Sequence, residues 1–315
     1  MDKGIDITER VQLGGANEWI SIRGQDRSKP IMLYLHGGPG AARRYHNHKL
    51  EKIFVVVNWD QRGAGKSYTS EVTKESMNVK QLLSDTNELV EYLKKKFNRD
   101  KIFLVGHSWG SFLGINMAYK HPENFYAYIG IAQIVNGKMN EAISYNYTLE
   151  MARRHKNNRA IEELTTISKM KDGLYCNGRA GIHTERKWLY KLNKYTKLSM
   201  FRYISRAISG YSFKYGDKAS YKKGLDFSAQ NLWDWMDDVD LFNQIPQIKI
   251  PIFFLSGRCD YVSSFQLVND YYNKLEAPVK KLFWLEKSSH SPHIEEPRAF
   301  CNIMNQILGH TKYES

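Results

Sequence analysis

The feature of this sequence with the tightest structural consequence is Gly106-His107-Ser108-Trp109-Gly110, set between two apolar runs. The run before it, Ile102-Phe103-Leu104-Val105, is short and rich in large side chains, as in a buried strand. The run after it, residues 112–119, reads as a packed helix. Joining strand to helix through so sharp a turn leaves no space at its flanks, because Cβ atoms at positions 106 and 110 would meet neighbouring backbone. Bare flanks lift Ser108 clear as an exposed hydroxyl at a helix N-terminus.

The rest of the chain extends this strand-helix rhythm. Val11-Gln12-Leu13 and Trp19-Ile20-Ser21-Ile22 alternate around Gly14-Gly15-Ala16-Asn17, which predicts an opening β-hairpin at a sheet edge. Residues 30–35 form an apolar strand ending in His36-Gly37-Gly38-Pro39-Gly40, a loop whose glycines let backbone approach a ligand closely. A second buried strand, 53–59, ends in Asp60-Gln61-Arg62-Gly63-Ala64-Gly65-Lys66-Ser67. Val79, Leu82, Leu83, Leu89, Val90 and Leu93 follow the spacing of one helix face and predict a crossover helix over 79–97. Strands at 125–135, 251–255 and 281–285, with helices at 265–276 and 298–308, continue the pattern. Near-continuous apolar strands alternating with helices predict an α/β fold whose parallel sheet is covered on both faces.

Between 137 and 244 the rhythm stops and the chain reads helical and polar. The expected organisation is a core from 1–136 and 246–315 with a helical cap inserted at 137–245. Ligands of open α/β sheets bind at the carboxyl ends of the strands, so an insertion leaving that edge roofs the site. A length of 315 residues suits a core with such an insertion.

Composition narrows the function classes. Apolar content of 42% and charged content of 25% are ordinary for a soluble globular protein. No run approaches the roughly 18 apolar residues of a membrane span. Residues 1–6 lack the pattern of a secretory signal, which predicts a cytoplasmic protein. Cys176, Cys259 and Cys301 are far apart and are expected to be reduced packing residues. The net charge of +13 raises the question of nucleic acid or an acidic membrane. The lysines are spread along the chain and no nucleic-acid-binding motif accompanies them, so a solvated basic surface is expected, with neither partner. His46 and His48 form a pair without further ligands, and no metal is expected.

A serine hydroxyl is a poor nucleophile until a base takes its proton and a third group holds that base. Asp260 follows the strand 251–255 and His290 follows the strand 281–285, the chain order that a serine at such a turn requires. Asp237, Asp238 and Asp240 precede the strand, and His293 is the rival histidine. Two backbone N–H donors are also needed for the oxyanion; they are assigned to Trp109 and Gly38, with Gly37 as the alternative to the latter. His36 and His107 are expected to orient loops, and Arg62 to tie glycine-loop carbonyls together. Acyl transfer through serine needs no cofactor, and the rate is expected to rise as His290 loses its proton.

Through His36-Gly37-Gly38-Pro39-Gly40, residues 60–67 and Gly106-His107-Ser108-Trp109-Gly110, the chain resembles the proline iminopeptidase-like branch of the α/β-hydrolase fold. The segment Ser289-His290-Ser291-Pro292 with Glu295-Glu296-Pro297 is also similar to that family's histidine loop. The resemblance implies an eight-stranded mostly parallel sheet, helices on both faces, a helical cap, and a triad of Ser108, Asp260 and His290. It further implies an aminopeptidase acting on a small molecule or short peptide. Family members that remove N-terminal proline hold its amino group with cap glutamates, one of them in a segment resembling Glu-Asn-His-Tyr-Phe, which this chain lacks. The glycine loop also continues with Ala41-Ala42-Arg43-Arg44 in place of glycine. Glu141, Glu162, Glu163, Glu185 and Asp226 are the acidic cap candidates; the aromatic segments 211–215 and 233–236 are candidates for a pocket lining, but aromatic residues in helical insertions more often simply pack, and packing is expected. A carboxylesterase or lactonase, and more distantly a ligand-binding receptor on the same fold, are the alternatives.

Overall fold

The computed structural model describes residues 3–42, 47–167, 170–171, 174–175, 177–195, 218–311 and 313. Its strands are β1 (Ile5–Leu13), β2 (Ala16–Gly24), β3 (Ile31–Leu35), β4 (Val55–Asp60), β5 (Ile102–His107), β6 (Phe125–Ile131), β7 (Met170–Lys171), β8 (Leu174–Tyr175), β9 (Ile252–Gly257) and β10 (Lys280–Leu285). Eight of them form one sheet in the order β1-β2-β4-β3-β5-β6-β9-β10. The first two pairings are antiparallel and the remaining five parallel. In the opening hairpin Leu13 lies opposite Ala16, so only Gly14 and Gly15 make the turn. Both have positive φ, 51° and 80°, as a two-residue turn matched to strand twist requires. The hairpin is therefore longer, and its turn tighter, than the 14–17 loop read from the sequence.

Side-chain alternation divides each central strand between two cores. Ile31, Leu33, Leu35, Ile102 and Leu104 face Leu82, Leu89, Val90 and Leu93 of the helix Val79–Phe97 and Leu113 and Met117 of the helix Trp109–Lys120. Met32, Tyr34, Phe103, Val105, Phe253 and Leu255 face Phe300, Ile303, Met304 and Ile307 of the closing helix Pro297–Gly309. Burial on both sides explains why these strands read as unbroken apolar runs. Each such side chain contributes about 1.5–3 kcal/mol on leaving water.

β6 ends at Ile131, four residues short of the end of the stretch 125–135 expected as strand. The first helix of the insertion begins at Gly137, and the chain entering and leaving the insertion is tied together: the Gly137 N–H donates to the Val239 carbonyl (3.0 Å) and the Leu241 N–H to the Val135 carbonyl (2.8 Å). Its helices Gly137–Arg154, Asn158–Thr166 and Arg179–Leu192 share a core of Tyr145, Leu164, Ile182 and Trp188. Asn136 and Asn157 cap the first two, accepting from the Met139 and Ala160 N–H groups. A further helix, Lys218–Leu232, rests on the sheet's loops: the Ser228 hydroxyl donates to the Gly63 carbonyl at 2.9 Å. A Cβ at Gly40 would stand 2.5 Å from that of Ser228. Cys176, Arg43, Arg44, His46 and the segment 211–215 lie outside the described residues. Among the described residues no helix is long and apolar enough to cross a membrane.

Candidate active site

Ser108 sits between β5 and the helix Trp109–Lys120 with φ 52° and ψ −120°, a backbone that a residue bearing a Cβ adopts only under strain. Its N–H donates to the Ile131 carbonyl at the end of β6 (3.0 Å), and the Ser111 hydroxyl donates to its carbonyl (2.6 Å). The turn is thus held on both sides, and Ser108 is largely buried, 9% exposed, rather than the exposed hydroxyl the sequence suggests, because neighbouring loops close over it. Its hydroxyl lies 3.0 Å from His290 Nε2, and His290 Nδ1 lies 3.0 Å from Asp260 Oδ2. Because a carboxylate only accepts, Nδ1 carries the proton and Nε2 is left free to accept from serine. Asp260 is fully buried, and its Oδ1 accepts from the N–H groups of Val262 (2.9 Å) and Ser263 (3.0 Å). These backbone donors and the histidine keep a buried carboxylate satisfied.

His290 is held from three sides. Glu295 accepts from the N–H groups of Ser289 and Ser291, on either side of it, at 2.5 and 2.9 Å. His107 Nε2–H donates to its carbonyl at 2.8 Å. The loop that His107 orients is thus that of His290, and Glu295, to which the sequence assigns no role, braces the same loop. His293, the rival histidine, is buried beneath the site with its Nε2 3.1 Å from the Tyr34 hydroxyl. It does not meet Ser108, and Asp260 rather than Asp237, Asp238 or Asp240 meets His290.

The 36–40 loop passes directly over the serine: a Cβ at Gly37 would stand 3.1 Å from that of Ser108. Gly38 has φ +123°, where a Cβ would fall 2.6 Å from the N atoms of Gly40 and Ala41, so this backbone requires glycine. Trp109 is the first residue of its helix, and the first N–H groups of a helix have no acceptor within it.

His36 anchors this loop. Its Nδ1–H donates to the Gly37 carbonyl (2.8 Å) and its Nε2 accepts from the Gln61 N–H (3.3 Å). Gln61 in turn donates to the His36 carbonyl and accepts from the Trp109 indole, at 3.1 Å each. The three loops converging on Ser108 are thereby joined. Accepting at Nε2 demands neutral imidazole, and burial lowers its pKa from the ordinary 6.5 to about 4, with the Gly37 contact opposing. The unfolded chain takes up this proton below about 6.5 and the folded chain only below about 4, so between them stability falls as pH falls. At pH 5 the expected loss from this one group is about 2 kcal/mol relative to neutrality. Urea unfolding at pH 7 and pH 5 measures it, and an equal loss in a His36→Gln variant would remove His36 as its source.

Arg62 corrects the sequence expectation. It does tie carbonyls together, but those of Leu13 (2.9 Å) and Gly14 (3.1 Å) in the hairpin turn, not those of the 36–40 loop, and it pairs bidentately with Asp85 at 2.7 and 2.9 Å. It joins β1 to the crossover helix, behind the site. His48 is exposed, and the carboxylate beside it, 3.5 Å away, belongs to Glu51. Among the described residues no three His, Cys, Asp or Glu side chains are arranged to hold a metal.

Among the acidic cap candidates, Glu162 and Asp226 are exposed, and Glu163 is taken by Arg159, Lys187 and the Trp188 indole. Glu141 and Glu185 are buried on one guanidinium, that of Arg186. Glu185 also accepts from Ser144 (2.9 Å) and Thr148 (2.6 Å). The second oxygen of Glu141 is buried and has no hydrogen-bond partner among the described residues. Burial pushes the Glu141 carboxyl up, with Arg186 opposing. Nearby Asp237 is raised to about 6 by burial and then by the charges of Asp234, Glu141 and Asp238. Trp233 packs against the insertion's own core, while Trp235 is exposed.

The sheet order, with a serine on the strained turn at its centre, is that of the α/β-hydrolase fold. A solved proline iminopeptidase of Mycobacterium smegmatis shares it, with a TM-score of 0.67 at 15% identity over 96% of this chain and 98% of that one. Within the fold the chain belongs to the family described as serine aminopeptidase, S33, whose sequence model matches residues 26–297. It is 32% identical over 316 residues to the probable aminopeptidase YbaC of Bacillus subtilis, covering 98% of each. A proline iminopeptidase of Clostridium botulinum is 25% identical over 291 residues, 89% of each.

Proposed function

We propose that the protein is a serine aminopeptidase of proline iminopeptidase type, releasing one small or prolyl residue from the free N-terminus of a short peptide. His290 Nε2 takes the Ser108 proton as Oγ attacks the carbonyl carbon of the terminal residue. The N–H groups of Trp109 and Gly38 receive the oxyanion, and Asp260 stabilises the imidazolium. His290 then gives its proton to the departing amine, and water releases the acyl group from Ser108 by the same steps in reverse.

The observation that carries the choice of an amino-terminal substrate is the buried Glu141–Arg186–Glu185 cluster. Two carboxylates on one guanidinium leave a surplus negative charge, and one oxygen of Glu141 lacks a hydrogen bond. In a chain of net charge +13 this local field is of the opposite sign and suits an ammonium group. Asn140, the residue before Glu141, touches the turn that carries Asp260, which sets the cluster's helix against the reacting groups.

Alanine and proline p-nitroanilides beside p-nitrophenyl acetate and butyrate test this. Anilide cleavage is expected, and Glu141→Gln is expected to raise KM for anilides roughly 10- to 100-fold, the worth of a charge-assisted hydrogen bond. The acetate ester, which has no amino group, is expected to be far less affected. Turnover of esters with no anilide cleavage would instead make the protein a carboxylesterase or lactonase.

A further inference from the structure

We propose that Asn140, on the first helix of the insertion, is a positioning residue for Asp260, through which the seating of the cap controls the Ser108–His290–Asp260 chain. The inference rests on the catalytic roles proposed above. Its side-chain amide spans the turn that follows Asp260: Nδ2–H donates to the Val262 carbonyl (3.0 Å), and Oδ1 accepts from the Ser264 N–H (2.8 Å). The same turn holds the acid, since the Val262 and Ser263 N–H groups bond to Asp260 Oδ1. The two peptide faces of Val262 are thus divided, its N–H toward the acid and its carbonyl toward the cap.

A second contact lies seven residues along the same helix, where Tyr147 stacks on Tyr261 with ring centroids 3.4 Å apart and planes 8° from parallel. Spacing of i and i+7 puts Asn140 and Tyr147 on one helix face, so the helix lies along the turn and is held at two points. Asparagine suits its position because its short amide offers a donor and an acceptor side by side in one plane. Its Nδ2 also lies 3.2 Å from Glu141 Oε1, so the amide that braces the acid's turn also touches the carboxylate proposed to receive the substrate's amino group. Asn140 touches neither Ser108 nor His290, so its effect on them passes through the turn of Asp260.

The rate at which a fluorophosphonate labels Ser108, followed against pH, reads this without assuming a substrate. Asn140→Ala is expected to slow labelling and p-nitrophenyl acetate turnover about 10- to 100-fold, the effect of misplacing a reacting group by about 1 Å. The acidic limb of the profile is expected to move to lower pH, because a displaced carboxylate stabilises the imidazolium less. Asn140→Asp keeps the acceptor for Ser264 but turns a carboxylate toward the Val262 carbonyl and Glu141, and slowing at least as large as that of the alanine variant is expected. It also serves if the alanine variant does not fold. A lowered melting temperature with parent labelling rate and pH profile in the folded protein would overturn the proposal, leaving Asn140 a purely structural contact. So would a loss confined to the KM of anilides, which would assign the effect to Glu141. Parent protein that labels but cleaves no anilide defeats only the aminopeptidase reading, whereas parent protein that does not label defeats both.

Discussion

Replacing Ser108 with alanine is expected to lower kcat/KM on every acyl substrate by roughly 10,000- to 1,000,000-fold, with the melting temperature within about 2 °C of the parent. The hydroxyl meets His290 Nε2, whose side chain keeps 17% of its surface exposed, so its loss strands no fully buried group. Alanine also keeps the same strained backbone at φ 52°. Glycine does not: Ser108→Gly is expected to be equally inactive yet more stable than Ser108→Ala. Relief of strain, about 1–3 kcal/mol, exceeds the entropy that glycine adds to the unfolded chain, about 0.5–1 kcal/mol. The net gain of about 1 kcal/mol is about 2 °C in a chain of this size. Anilide and ester kinetics with thermal melts of the three proteins decide the matter. A Ser108→Ala protein keeping more than roughly a hundredth of the parent rate would remove Ser108 as nucleophile. A glycine variant less stable than the alanine one would remove the strain argument.

Gly110→Ala is expected to destabilise the fold by about 3–5 kcal/mol, a drop of roughly 10 °C in melting temperature, or to prevent folding. The added Cβ would stand 2.1 Å from the Leu35 carbonyl oxygen and 2.7 Å from that of His36. Both are backbone atoms, one at the last residue of β3 and one just beyond it, and neither can swing aside as a side chain would. Gly106 is similarly placed, 2.3 Å from the Gly110 carbonyl oxygen. Gly15 supplies the contrast. It also has positive φ, +80°, but nothing lies within 4 Å of its Cβ position, so Gly15→Ala is expected to lose only about 1–2 kcal/mol from backbone strain. Chemical denaturation of the two variants separates contact from conformation, and equal losses would mean that the close approach at the turn is not what requires glycine.

Much of the core was legible because its determinants are local. The spacing of Val79, Leu82, Leu83 and Leu89 anticipated a helix whose observed bounds, Val79–Phe97, match. The apolar runs around residues 31–35 and 102–105 read as strands because both of their faces are covered. The expected collision at positions 106 and 110 is present in the distances above. Ser108, Asp260 and His290 could be placed from chain order and position after a strand, and the structure brings those three together. The insertion was legible only as helical. Glu141 and Glu185 stood among five acidic candidates that no spacing distinguished, and Asn140 carried no signal at all. Glu295 sat in a segment noted for its resemblance, yet nothing in that segment says that its carboxylate would bridge the N–H groups on either side of His290. Arg62 was expected to bind carbonyls, and it does so 48 residues back along the chain.

The sequence by itself determined the strand-turn-helix unit, the succession of strands and helices along the chain and the three side chains that meet at the turn. Steric exclusion at a glycine and the periodicity of a buried face act over a few residues and leave a local pattern. Only the tertiary structure decided which carboxylate meets Arg186, which carbonyls Arg62 binds, and that the first cap helix is fastened to the acid's turn by Asn140. Those contacts join residues 45, 48 and 122 positions apart. A polar side chain on a helix face specifies that it will seek a partner, whereas the packing of distant elements specifies which partner comes within reach.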